Sequence, residues 1–179
     1  MDHLLLGTSV PWLLPHAIDA VETVNEIAAG RRGPRGRLAE QVRQAADLEH
    51  WAAFRESFDR LTALVTSAAV RGPLTVNVLS GDVHHSYVAR AGLPGRVFQL
   101  TCSPVHNKIH WFMRPGFRLG WSRTARRLAR RWAEWSGAPP LPVSWERVAG
   151  PSFGNTIATL DIDGQHARCS SNSRARRRR

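Results

Sequence analysis

The chain has 179 residues and a mass of 20.0 kDa, enough for one domain and too little for two of ordinary size. With 42% hydrophobic and 22% charged residues it has ordinary globular composition, which excludes collagen-like, acidic disordered and membrane-bundle classes. Two cysteines, Cys102 and Cys169, and no CxxC pair exclude a disulfide-stapled secreted fold and a zinc ribbon. The formal net charge of +11 is unevenly placed: from Arg168 to Arg179 there are six arginines and no acid. Residues 165–179 are therefore read as a basic, disordered tail, and such a tail also binds polyanions non-specifically through counterion release.

The N-terminus begins acidic at Asp2, without the basic region of a signal peptide. Its apolar run Leu4 to Leu14 is interrupted by Gly7 and Pro11 and is far short of the roughly 20 residues that span a bilayer. A cytoplasmic product is the expectation. An apolar run at the very start also reads as a core segment whose partners lie elsewhere, which suggests a fragment.

Pro15 to Ala29 reads as a helix with Gly30 as its stop. Residues 30–36 form a basic, Gly-rich loop. Leu38 to about Ala69 carries apolar residues at helical spacing, as one long helix or two broken ones, and Gly72-Pro73 marks a turn. Thr75 to Leu79 is apolar and β-branched enough for a buried strand, and Tyr87 to Arg90 and Val97 to Cys102 are further strands. Residues 103–120 look like an aromatic-rich loop. Ser122 caps a basic amphipathic helix to about Ser136, and Pro139-Pro140 ends it. Val143 to Val148 and Thr156 to Ile162 read as strands, the second ending at the hairpin signal Asp163-Gly164. Helices followed by strands mixed with one helix suggest part of an α/β layered fold.

Ser80-Gly81-Asp82-Val83-His84-His85-Ser86 follows the first of these buried strands. Side chains two apart on an extended chain point the same way, so Asp82 and His84 can address one ion from the strand's carboxyl end. Gly81 would serve a backbone turn or the close approach of a ligand. A carboxylate with an imidazole suits iron, manganese or zinc, and the carboxylate alone suits calcium. The plainer alternative is a loop in which Asp82 caps backbone amides and His84 packs.

Gly81-Asp82-Val83-His84 after a strand resembles the late metal-binding motif of PhoD-like (alkaline phosphatase D) metallophosphatases. Further segments are similar to that family in order and spacing: His3 to Pro15, Ala46 to Phe54 with Ser57-Phe58, Gln99 to Pro104 with Asn107, and Phe153 to Leu160 with Asp163-Gly164. The similarity covers about residues 2–164. It implies a partial metallophosphatase-type α/β/β/α sandwich, with mixed sheets flanked by helices, over residues 1–164. It also implies a phosphoric ester hydrolase in which two metal ions (iron, manganese, zinc or calcium) activate water for attack on a phosphoester. By that match Asp82 and His84 are metal ligands. His85 has no secure family role; it is a catalytic-site contact to phosphate or to the ligands, or equally a core histidine. The family supplies its early ligands from strands ahead of the Leu4–Leu14 segment. The chain is therefore expected to be a C-terminal portion with the N-terminal half missing and with little or no hydrolase activity alone.

Three other features compete. His106 and His110 have i, i+4 spacing but lack the glutamate of a zinc protease helix. Asp47, Glu49 and His50 fit polar groups on a helix better than catalysis. Trp111 to Trp121 interleaves aromatics with arginines, and with helix 122–136 and the C-terminal arginines it supports an alternative from another class: a non-enzymatic basic module binding nucleic acid or an anionic membrane surface. No G-x-S-x-G elbow and no P-loop occur.

Overall fold

The computed structural model describes residues 2–30, 32–45, 50–102 and 114–173. In chain order the elements are β1 (His3–Thr8), α1 (His16–Ala29), α2 (Pro34–Ala45), a 3-10 turn (Trp51–Ala53), α3 (Arg55–Val70), β2 (Thr75–Ser80), β3 (Ser86–Ala91), β4 (Val97–Thr101), α4 (Arg114–Gly120), α5 (Arg123–Trp135), β5 (Trp145–Ser152), β6 (Thr156–Asp163) and β7 (His166–Ser173). The architecture is mixed α/β. A five-stranded mixed sheet of order β1-β2-β4-β3-β5 is flanked by helices, and β6-β7 forms a separate two-stranded sheet.

β1, β2 and β4 run parallel, while β3 runs antiparallel to both β4 and β5. Parallel neighbours need a long crossover, and the helices α1 to α3 supply it between β1 and β2. Because side chains alternate along a strand, Val76 and Val78 of β2 share a face with Val97 and Gln99 of β4. All four are at most 1% exposed, and Phe58, Leu61 and Val65 of α3 belong with the valines to one core cluster.

The apolar N-terminal run finds its partners inside this chain, contrary to the expectation above. Leu4 to Leu6 pair in register with Val76 to Val78, and Trp12 and Leu13 are fully buried. Trp12 Nε1 donates to Thr62 Oγ1 at 3.2 Å, and Tyr87 Oη donates to the Leu13 carbonyl at 2.7 Å. Gly7, which weakens a strand reading, lies open, with no atom within 4 Å of where a Cβ would stand.

Three further segments depart from expectation. The long helical stretch is broken into α2, the 3-10 turn and α3, and α2 begins at Pro34, inside the basic loop, because proline suits a first helical turn. Residues 114–120 form α4 rather than loop. Residues 166–173, expected as disordered tail, form β7, which pairs antiparallel with β6 from Asp163↔His166 to Thr156↔Ser173. The Asp163-Gly164 turn, with Gly164 at φ 55°, sets that register, and backbone pairing tolerates the polar sequence of β7 on a largely exposed hairpin. The hairpin is tied to the main sheet at both ends, by Cys102 Sγ donating to the Thr156 carbonyl at 3.1 Å and by His3 Nε2 3.0 Å from the Gly164 carbonyl. Among the described residues no helix is long and apolar enough to cross a membrane.

Candidate functional site

The parallel strands end together. Thr8, Ser80 and Thr101 are register partners at the carboxyl ends of β1, β2 and β4, and β3 starts at the same edge with Ser86. Ser80 Oγ and Thr101 Oγ1 lie 3.0 Å apart, and Gln99 Nε2 donates to Ser80 Oγ at 2.7 Å. Open α/β sheets hold ligands outside such an edge. A cavity of about 310 Å³ lies beside it, between the sheet and the β6-β7 hairpin, with Ser80, Thr101, Cys102, Ser152 and Cys169 among its walls.

Residues 81–85 join β2 to β3 as a loop, so the strand geometry assumed from sequence does not extend to them. The special backbone position is Asp82, not Gly81. Asp82 has φ 53°, in the left-handed region, whereas a Cβ on Gly81 would meet only ordinary contact at 3.8 Å. Aspartate tolerates this region better than most residues because its short side chain can bond locally. The Gly81 N–H donates to the Ser9 carbonyl at 3.4 Å, tying the loop to the end of β1. Exposure alternates along the loop: Asp82 and His84 are exposed, Val83 and His85 buried.

His85 is 1% exposed and stacks on Tyr87, with ring centroids 5.0 Å apart and planes 22° from parallel. Phe153 closes over it at 6.1 Å. Burial, then the nearby His84 and His50, lower the His85 pKa to about 4, so its imidazole is neutral at pH 7. Burial also raises the Tyr87 phenol above its ordinary value. His85 is thus placed beneath the loop, in ring contact with the core.

Two residues that the sequence reading did not single out contact Phe153, the ring that covers His85. Arg114 and Arg118, one turn apart on α4, each hold a guanidinium 5.8 Å from the centre of the Phe153 ring. Arg114 Nε has no hydrogen-bond partner among the described residues. The signal was the interleaving of arginine with aromatics, which pointed to a polyanion surface or a core rather than to this site.

His50 lies outside any helix, and its Nδ1 is 2.7 Å from Oε1 of the fully buried Glu22 on α1. Asp19, one turn earlier, is 3% exposed; burial and the Glu22 carboxylate raise its pKa to about 7. His50 is close enough to His85 to lower its pKa, so the Glu22–His50 pair lies near the loop in space although far from it in sequence. Asp47, Glu49, Asn107, His106 and His110 lie outside the described residues.

The donors on the loop are one carboxylate and one imidazole. Among the described residues no three His, Cys, Asp or Glu side chains converge as a metal group. Asp82 and His84 offer two donor side chains, fewer than the shell of two ions requires. No family model matches the chain, and no curated protein or solved structure matches it significantly.

Proposed function

We propose that the carboxyl edge of β1, β2 and β4 is part of a phosphoric ester hydrolase site of PhoD-like type, built on a metallophosphatase-type sandwich. The observation that carries this reading is Asp82: an exposed carboxylate on a left-handed backbone, directly after a parallel strand, with an exposed histidine two residues on. Non-glycine residues held in that region concentrate at binding and catalytic sites. Asp82 and His84 would hold the ion. A bound di- or trivalent cation supplies Lewis acidity and lowers the pKa of water. Arg114 and Arg118 bring positive charge to the same edge, where guanidinium groups suit phosphate oxygens. His85, neutral and stacked on Tyr87, supports the loop from below.

Two protein donors are few, so hydrolysis by this chain alone is expected near background. The test is an aryl phosphate assay with added manganese, calcium or ferric iron. Weak metal-dependent turnover that disappears in Asp82→Asn and His84→Gln is the supporting result. Metal-dependent turnover unchanged in both variants would overturn the reading.

A further inference from the structure

α5 is strongly charged and exposed. Its 13 residues include five arginines and one acid, and none of its side chains is buried. The helix packs on α1 through a small-residue face, with Ala125, Ala129 and Ala133 half-buried. A different stripe faces solvent. Leu128, Trp132 and Trp135 follow i, i+4, i+7 spacing and are 62%, 40% and 86% exposed. Leu119, just ahead in α4, is 65% exposed as well. Arg131, with Arg127 beyond it, flanks this stripe, and Arg123, Arg126 and Arg130 lie on the opposite side of the helix. The acid on the helix, Glu134, makes only a long, exposed ion pair with Arg130, at 3.9 Å.

An apolar stripe of leucine and tryptophan beside arginines, with low overall hydropathy, is the pattern of a helix that lies in a membrane interface. Tryptophan favours that depth because its ring is apolar and its N–H can remain wet. Arginine stems can pack along apolar surface while the guanidinium reaches headgroup phosphates. A nucleic-acid surface would use the arginines but gives no burial to a continuous Leu128–Trp132–Trp135 stripe. We propose that α5 docks this chain on an anionic lipid bilayer, with Leu128, Trp132 and Trp135 at the acyl boundary and Arg127 and Arg131 on the headgroups. The docking does not depend on the phosphoesterase reading.

The test is co-sedimentation of the full chain with phosphatidylglycerol-rich vesicles and with vesicles of phosphatidylcholine alone. Binding should favour the anionic vesicles. It should fall about tenfold or more in Arg127→Gln/Arg131→Gln, since each surface arginine near an anionic leaflet is worth several-fold in partitioning. It should fall comparably in Leu128→Ser/Trp135→Ser, whose substitutions are at exposed positions and leave the circular dichroism spectrum unchanged. Replacing Arg174 and Arg176 through Arg179 by glutamine should lower binding less than either helix variant. Full binding by Leu128→Ser/Trp135→Ser would overturn the proposal, as would loss of all binding in the tail variant. Tighter binding to duplex DNA than to the vesicles, indifferent to Trp135, would assign the helix to nucleic acid instead.

Discussion

Gln99 and Ser80 are joined by a 2.7 Å hydrogen bond at the carboxyl edge of the sheet, the Gln99 side-chain amide donating to the Ser80 hydroxyl. The other end of the same amide accepts the Trp12 backbone N–H at 3.1 Å. Gln99 is fully buried. One polar side chain thus fastens the chain leaving β1 to the end of β2, immediately before the Asp82 loop. A buried amide is tolerated here because both of its ends are satisfied.

Gln99→Met keeps the volume and removes these two bonds together with the longer ones, each 3.3 Å, to the Val78 carbonyl and the Thr101 hydroxyl. It leaves the Trp12 N–H buried without its acceptor, so a loss of about 1–3 kcal/mol is expected. Urea denaturation measures it. An unchanged midpoint would mean that the segment after β1 is held by packing alone.

Asp82→Gly separates backbone from side-chain chemistry. Glycine adopts φ 53° without a Cβ penalty, so stability should be unchanged or rise by up to about 1 kcal/mol. Metal affinity should fall in the same variant. A clear loss of stability, seen by thermal melting, would show that the carboxylate is a structural cap for the loop.

Asp19 and His16 make opposite contributions to the pH dependence of stability. Burial, then the Arg126 and Arg130 guanidiniums, lower the His16 pKa from 6.5 to about 4. The unfolded chain therefore binds its proton first, and this contribution to stability is lost as pH falls from 6.5 toward 4. Asp19 is raised from 3.8 to about 7, so the folded chain holds its proton longer, and stability is lost as pH rises from 4 through 7. Asp19→Asn should abolish that second arm. Its gain over the parent should be larger at pH 8 than at pH 4, by on the order of 4 kcal/mol. Equal gains at both pH values, from urea midpoints, would show that Asp19 is ionised in the fold.

The strands β2, β3 and β4 were legible because β-branched and apolar runs bounded by Gly and Pro carry their own signal. The cap of α5 was equally legible: Ser122 Oγ accepts from the Ala125 N–H at 3.0 Å. β1 was not legible as a strand, since a six-residue apolar run with a glycine has no period that separates strand from core coil, and its pairing with β2 is set by residues 72 positions away. β7 was missed because its polar sequence takes its shape from backbone bonds to β6, not from side-chain alternation. In the loop after β2 the sequence points to Gly81 as the turn or approach position, whereas the residue with a left-handed backbone is Asp82, which local spacing does not reveal. The approach of Arg114 and Arg118 to Phe153 is tertiary, and nothing in local spacing encodes it.

Arg118→Gln should weaken inorganic phosphate or aryl phosphate binding several-fold without altering the fold, because Arg118 is exposed and bears on the site only through charge and its contact with Phe153. Equilibrium dialysis with phosphate measures this. Unchanged affinity would remove Arg118 from the site.

The ion site proposed at Asp82 and His84 is tested most directly by titrating the chain with manganese and following the histidine proton resonances. Paramagnetic broadening should reach His84 first, ahead of the exposed His166, and that order should vanish in Asp82→Asn. Broadening of His84 no earlier than His166, or an order unaffected by Asp82→Asn, would contradict the account.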